Sequence, residues 1–194
     1  MRLYVQALSP DVEVEEVPDK ERSMNLICMI LLILLLLPLH AWSKELPLFV
    51  IQRNKNKNEV HYYLHVDDTC RIVSTEPVSA FWKLLQESPG KTAPLTGLQR
   101  IVYGVVHKHV DDNWVSFHLM PLKERIVKAT ATYDPATKTC SPIVHAEINK
   151  QWAALERIYV HAEEGLLDPE LLYIDLIGKS LKPSPQQVRE RIHP

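Results

Sequence analysis

The chain has 194 residues, 46% of them hydrophobic and 24% charged, with a formal net charge of -2. That composition excludes a disordered, collagen-like or multi-span membrane chain, and a near-neutral balance without a run of five like charges offers no surface for nucleic acid. Gly is scarce at five and Pro frequent at 14, so turns fall to Asn, Asp and Pro.

Residues 1–23 form an acidic leader in which Asp11, Glu13, Glu15, Glu16, Asp19 and Glu21 outnumber Arg2, Lys20 and Arg22. A signal n-region is positive, so translation is expected to begin at Met24. Residues 26–39 are an uncharged apolar run, followed by Ala41-Trp42-Ser43 before Lys44. Small residues at 41 and 43 suit a signal peptidase, and the run falls short of the roughly 20 residues that cross a bilayer. Residues 24–43 therefore read as a cleaved signal helix, with an uncleaved anchor as the alternative. Cys28 stands at the front of the run, not at its end, so there is no lipoprotein box. Residues 44–194 read as one exported domain, periplasmic or secreted, that meets a membrane only through the signal segment.

Strands follow from period-two alternation. Val60, Tyr62, Leu64 and Val66 alternate with His61, Tyr63 and His65; Val115, Phe117 and Leu119 with Trp114, Ser116 and His118; and Val127, Ala129, Ala131 and Tyr133 with Lys128, Thr130 and Thr132. Strands are predicted near 48–53, 59–66, 70–74, 78–85, 101–110, 114–121, 125–133, 142–149, 153–162 and 171–177. The breaks carry Asn and Asp, which tolerate positive φ and bond their own backbone. At Asn149-Lys150 a two-residue turn would ordinarily want Gly second, which predicts strain at Lys150. Helix is confined to a turn at 96–100 and a short C-terminal helix near 185–191, capped by Ser184. The fold class is all-β: an antiparallel meander closing into a barrel-like sheet, with a two-layer sandwich as the alternative.

Two cysteines remain in the exported part, Cys70 and Cys140. In an oxidising compartment they are a disulfide candidate worth about 4 kcal/mol, against two separate buried thiols. Cys140 also has Ser141 and His145 nearby, but 140 and 145 differ in strand parity, which argues against a thiol nucleophile.

The opening run from Phe49 to Tyr62, with Glu76-Pro77-Val78, Phe81-Trp82, Tyr103-Gly104, the stretch 148–160, and Tyr173-Ile174-Asp175 with Gly178, resembles an exported bacterial family known as domain of unknown function 4833. The likeness spans most of residues 47–192. It implies a signal-bearing, β-rich module, and no catalytic residue comes with it.

No nucleophile elbow, His-Glu-x-x-His, phosphate loop or Cys-x-x-Cys is present, and no motif implies a cofactor. The ligand-binding candidates are the cationic loop Arg53, Lys55 and Lys57 and the same-face set His61, Tyr63 and His65. His107 and His109 are expected to share a strand face, with His118 folding back toward them as a weak metal set. Trp82, Trp114 and Trp152 are expected in core or cross-strand packing. These residues favour a binding module for a small molecule, a lipid or an envelope partner. The alternative is a hydrolase or isomerase, in which at least three of His61, His65, His107, His109 and His118 must converge.

Overall fold

A computed structural model describes residues 43–86, 88–164 and 169–193. The acidic leader and nearly all of the expected signal helix lie outside the described residues. Among those described, no helix is long and apolar enough to cross a membrane.

Among the described residues, eleven strands form one mixed sheet: β1 Lys44–Arg53, β2 Glu59–Val66, β3 Val78–Leu84, β4 Lys91–Pro94, β5 Val105–Val110, β6 Trp114–Leu119, β7 Val127–Asp134, β8 Thr139–Ile148, β9 Gln151–Glu164, β10 Pro169–Ser180 and β11 Gln187–Ile192. Helix α1, Gly97–Tyr103, precedes β5, and a 3₁₀ turn, Met120–Leu122, follows β6. The strand order is β4-β3-β2-β1-β9-β8-β7-β6-β5, with β10 on the other side of β9 and β11 beyond it. The sheet is open, so the barrel expectation is corrected, and it is one sheet and not the two of a sandwich.

The reason is the length of β9. One of its sides pairs β8 antiparallel at Gln151–Ala154 and then β1 in parallel at Arg157–Val160, while β10 runs along the other side. A register shift separates the two stretches: Gly178 faces Leu155 and Ile177 faces Arg157, leaving Glu156 as the extra residue of a bulge. Two arms therefore leave β9, one through β1–β4 and one through β5–β8. The parallel β1–β9 pair joins residues about a hundred positions apart and has no local signature in the sequence.

Between the arms lies the core. The alternation read in β2 holds, with Val60, Tyr62, Leu64 and Val66 all buried. Phe49 of β1 stacks on Tyr62 at 4.5 Å and on Phe117 of β6 at 6.5 Å, so side chains of the two arms interdigitate. Cys70 and Cys140 form a disulfide that ties the β2–β3 connection to the start of β8, with their Cα atoms 5.7 Å apart.

Several boundaries differ from expectation. Residues 70–74 form no strand beyond a single bridge, Val66 to Ile72, because Asp67 Oδ1 accepts hydrogen bonds from the amides of Thr69 and Arg71 and holds a tight turn. Residues 101–103 belong to α1, which Thr96 and Gln99 close with a capping box; β5 starts only after Gly104. A β-carbon at Gly104 would stand 2.1 Å from the Arg100 carbonyl oxygen, so this helix end requires glycine. The C-terminal segment is a strand. Val188, Glu190 and Ile192 turn half-buried to one side, while Arg189 and Arg191 turn to the other and meet Asp175. Asn149 and Lys150 have φ of 53° and 61°, as a type I′ hairpin requires, so the strain read at Lys150 is real.

Candidate functional site

At the end of the core where β1, β9 and the start of β10 terminate, a pocket of about 420 Å³ opens beneath α1. Its wall is mostly apolar: Leu98 and Val102 from α1, Val160 and Ala162 from β9, Leu171 and Ile174 from β10, closed by Tyr103 and Pro121. The size falls within the range of about 300–1,000 Å³ usual for small-molecule sites.

The local sequence explains this void. Helix α1 carries apolar residues at positions 98, 101 and 102, the spacing of one helix face, yet Leu98 is 79% exposed and Ile101 63%. Only Tyr103 of this helix is buried, its carbonyl oxygen accepting from the Tyr62 hydroxyl at 2.7 Å. Burial of the Tyr62 ring, followed by the nearby Tyr103 hydroxyl, holds the Tyr62 phenol well above its ordinary range, so it stays a neutral donor. The helix is thus pinned at one end over the core, and its apolar face meets the pocket and the solvent.

Arg53 supplies the polar edge. It shares strand parity with the buried Phe49 and Ile51, so it points inward where the core ends. Its guanidinium lies 4.5 Å from the centre of the Trp82 ring and 5.9 Å from that of Tyr103. Nη1 donates to the Tyr103 hydroxyl at 3.3 Å, and Nη2 donates to Asn56 Oδ1 at 3.0 Å. Both acceptors are neutral. Arg53 Nε and Trp82 Nε1 are buried donors with no hydrogen-bond partner among the described residues. A second, more open depression of about 590 Å³ adjoins this edge, with Lys57, Glu59 and Gln86 around it.

The six ligand-binding candidates read from the sequence are divided between two faces. Arg53 and Lys55 line the apolar pocket and, with Lys57, the adjoining depression. His61, Tyr63 and His65 point the other way, because their alternating neighbours fill the core. His61 Nε2 lies 2.7 Å from Glu59 Oε2. Burial alone would raise the Glu59 carboxyl, but hydrogen bonds from Gln52 and His61 outweigh it and hold the group below its usual range. His65 Nε2 is 2.7 Å from Ser79 Oγ and 4.0 Å from Glu45 Oε1. Serine and carboxylate thus approach the same nitrogen, whereas a catalytic triad places them on opposite ring nitrogens.

The histidine convergence that an enzyme reading requires does not occur. A bulge at Lys108 sets His107 opposite Phe117 and His109 opposite Ser116, so the two expected to share a face lie on opposite faces. His107 is held below its ordinary pKa by desolvation, which favours the neutral ring. His109 stacks on Trp114 at 4.3 Å, and His118 is buried opposite Val106 with Nδ1 unpartnered. Among the described residues no three His, Cys, Asp or Glu side chains are grouped to hold a metal. Cys140 is consumed in the disulfide and is no free thiol. Trp82 is buried and Trp114 half-buried, while Trp152 is 49% exposed and stands opposite Glu147 across β8 and β9.

Sequence reasoning missed the α1 face and the β10 wall of the pocket, since the lining residues are spread from position 53 to 174. The one signal available was an apolar i, i+3, i+4 set in a short helix beside no matching partner. It also missed a polar row across the outer face. There Lys83 pairs with Glu59, Gln52 Nε2 donates to Glu59 Oε1 at 2.7 Å, Gln52 pairs with Tyr159, and Asp175 lies between Tyr159 and Arg191. Asp175 is fully covered and accepts hydrogen bonds from both Arg189 and Arg191. The Arg191 hydrogen bond, with Arg189 adding to it, outweighs desolvation and holds the Asp175 carboxyl down at about 2.

Comparison with known proteins finds a family match. The family model described as Domain of unknown function (DUF4833) covers residues 49–191. No curated protein and no solved structure matches the chain.

Proposed function

From a chain that belongs to the DUF4833 family of domains of unknown function, we propose an exported, non-catalytic binding module that takes an apolar small molecule into the pocket beneath α1. One observation carries this reading. An apolar cavity of about 420 Å³ is continuous with the outward-facing Leu98 and Val102, so apolar surface is left open at this end of the core. Large apolar side chains set together at a concave site are what small-molecule recognition uses, and exposed apolar residues scattered singly are not.

Export is supported by the apolar run at 26–39 with its small-residue junction, and by the Cys70–Cys140 disulfide, since such bonds persist in oxidising compartments. The scattered histidines and the geometry at Ser79 favour binding over hydrolysis or isomerisation.

The test is titration with a neutral naphthylamine fluorophore that brightens on entering apolar surroundings. The wild-type protein should bind it saturably at one site. Leu98→Glu and Val102→Glu place a carboxylate on exposed helix positions, so stability should change by no more than about 0.5 kcal/mol. Binding should nonetheless weaken at least about tenfold, since a charge must then be buried or the chain displaced. Unchanged binding in both variants would overturn the assignment of the pocket.

A further inference from the structure

The residue that ends β1 on the core side is an arginine, where an apolar side chain would continue the packing of Phe49 and Ile51. A guanidinium stays charged at every accessible pH and presents five donors. Charged groups that enter a protein interior are expected to meet an opposite charge. Arg53 does not: its hydrogen-bond acceptors are the Tyr103 hydroxyl and the Asn56 side-chain oxygen, and its guanidinium carbon lies within 6 Å of the centres of the Trp82 and Tyr103 rings. Aromatic rings accommodate the cation without neutralising it. Two adjacent buried donors, Arg53 Nε and Trp82 Nε1, are left without acceptors.

This uncompensated positive centre lies at the edge of the apolar pocket. Among the described residues, no carboxylate lines the pocket. Glu163 and Glu170 sit cross-strand in register on β9 and β10, next to the inward-facing Ala162 and Leu171 and opposite to them in parity. The pocket therefore has an apolar interior and, at its edge, a guanidinium held by neutral acceptors and aromatic rings, which is the complement of an amphiphile with one anionic end.

Resting on the pocket reading above, we propose that the ligand is an anionic amphiphile: its hydrocarbon chain lies between α1 and β10, and its carboxylate or phosphate is received by Arg53. The guanidinium is pre-positioned by Trp82, Tyr103 and Asn56, so little side-chain freedom is lost when the anion binds.

Calorimetric titration of the full chain with decanoate, decanol and decyltrimethylammonium, each below its micelle concentration, separates the parts of this claim. All three present the same hydrocarbon chain. The expected order is decanoate tightest, decanol weaker by about tenfold and the cation weakest, as a charge-assisted hydrogen bond implies. Arg53→Met should abolish the preference for decanoate over decanol, and saturable decanol binding by the variant reports that the pocket is still formed. In the wild type, added salt should weaken decanoate and not decanol. Decyl phosphate replaces the carboxylate in a final arm, and whichever anion binds tighter names the head group. Equal affinity for decanoate and decanol in the wild type would overturn the anionic assignment and leave the pocket standing. Failure of all three to bind would remove both.

Discussion

Reduction of the Cys70–Cys140 disulfide is the perturbation whose size follows most directly from the fold. The bond spans a sequence separation of 70. Closing a loop of that length removes entropy from the unfolded chain equivalent to about 4 kcal/mol at 25 °C. Against this stands a local cost in the native state. Cys70 is held at φ of 65°, in the left-handed region, where a side-chain-bearing residue is disfavoured by roughly 1–2 kcal/mol. The Asp67 carboxylate helps to hold that turn: hydrogen bonds from Thr69 and Arg71 keep it ionised below its usual range. Breaking the bond lets Cys70 relax, so the net loss should be about 3 kcal/mol. With a urea m-value of roughly 1–3 kcal/mol/M, the midpoint should fall by about 1–3 M. Equilibrium unfolding followed by the fluorescence of the buried Trp82, with and without a phosphine reductant, measures this, and Cys70→Ser with Cys140→Ser should reproduce the reduced curve. Identical midpoints and slopes would refute the reasoning, as would free thiols at both positions in air-oxidised protein.

Three further outcomes are expected. Asp175→Asn leaves Arg189 and Arg191 facing each other without their shared carboxylate, and should cost about 1–3 kcal/mol at neutral pH. Because the folded carboxyl titrates at about 2 and the unfolded one higher, that stabilisation is complete above the unfolded pKa and disappears as pH falls through about 2. The difference in Tm between wild type and variant should therefore be flat from pH 7 to about 5 and close toward pH 2, and a difference that persists there would contradict the pairing. Lys150→Gly relieves a φ of 61° and should raise Tm by about 2–4 °C in a thermal melt. Gly178→Ala drives a β-carbon to within 2.2 Å of the Ala154 carbonyl oxygen at the β9 bulge, and should lower stability by at least about 1–3 kcal/mol in urea unfolding.

Much of the fold was legible because strand parity is local. The alternation of Val60, Tyr62, Leu64 and Val66 states both the strand and its buried face, and the same reading places Arg53 with Phe49 and Ile51. Misreadings arose where a distant partner decided the structure. Residues 187–192 include Gln, Arg and Glu, which favour helix, yet Asp175 on β10 draws Arg189 and Arg191 into a strand. The barrel expectation failed because short hairpin connections fix neighbours only, and the β1–β9 pairing that branches the sheet skips most of the chain. A single extra residue at Lys108 was enough to separate His107 from His109. Half of the candidate site was visible as the cationic loop at Arg53 and Lys55. Its apolar half was not, since α1, β9 and β10 supply it and none of these segments is unusual alone.

The central claim is that ligand enters beneath α1 and not elsewhere on the sheet. Methyl NMR on the full chain, titrated with decanol, tests it most directly: the signals of Leu98, Val102, Val160, Leu171 and Ile174 should shift together along one saturable curve, while those of Val115 and Val144 stay fixed. Shifts confined to the outer face around Tyr63 and Phe81, or no concerted shift at the five pocket residues, would contradict it.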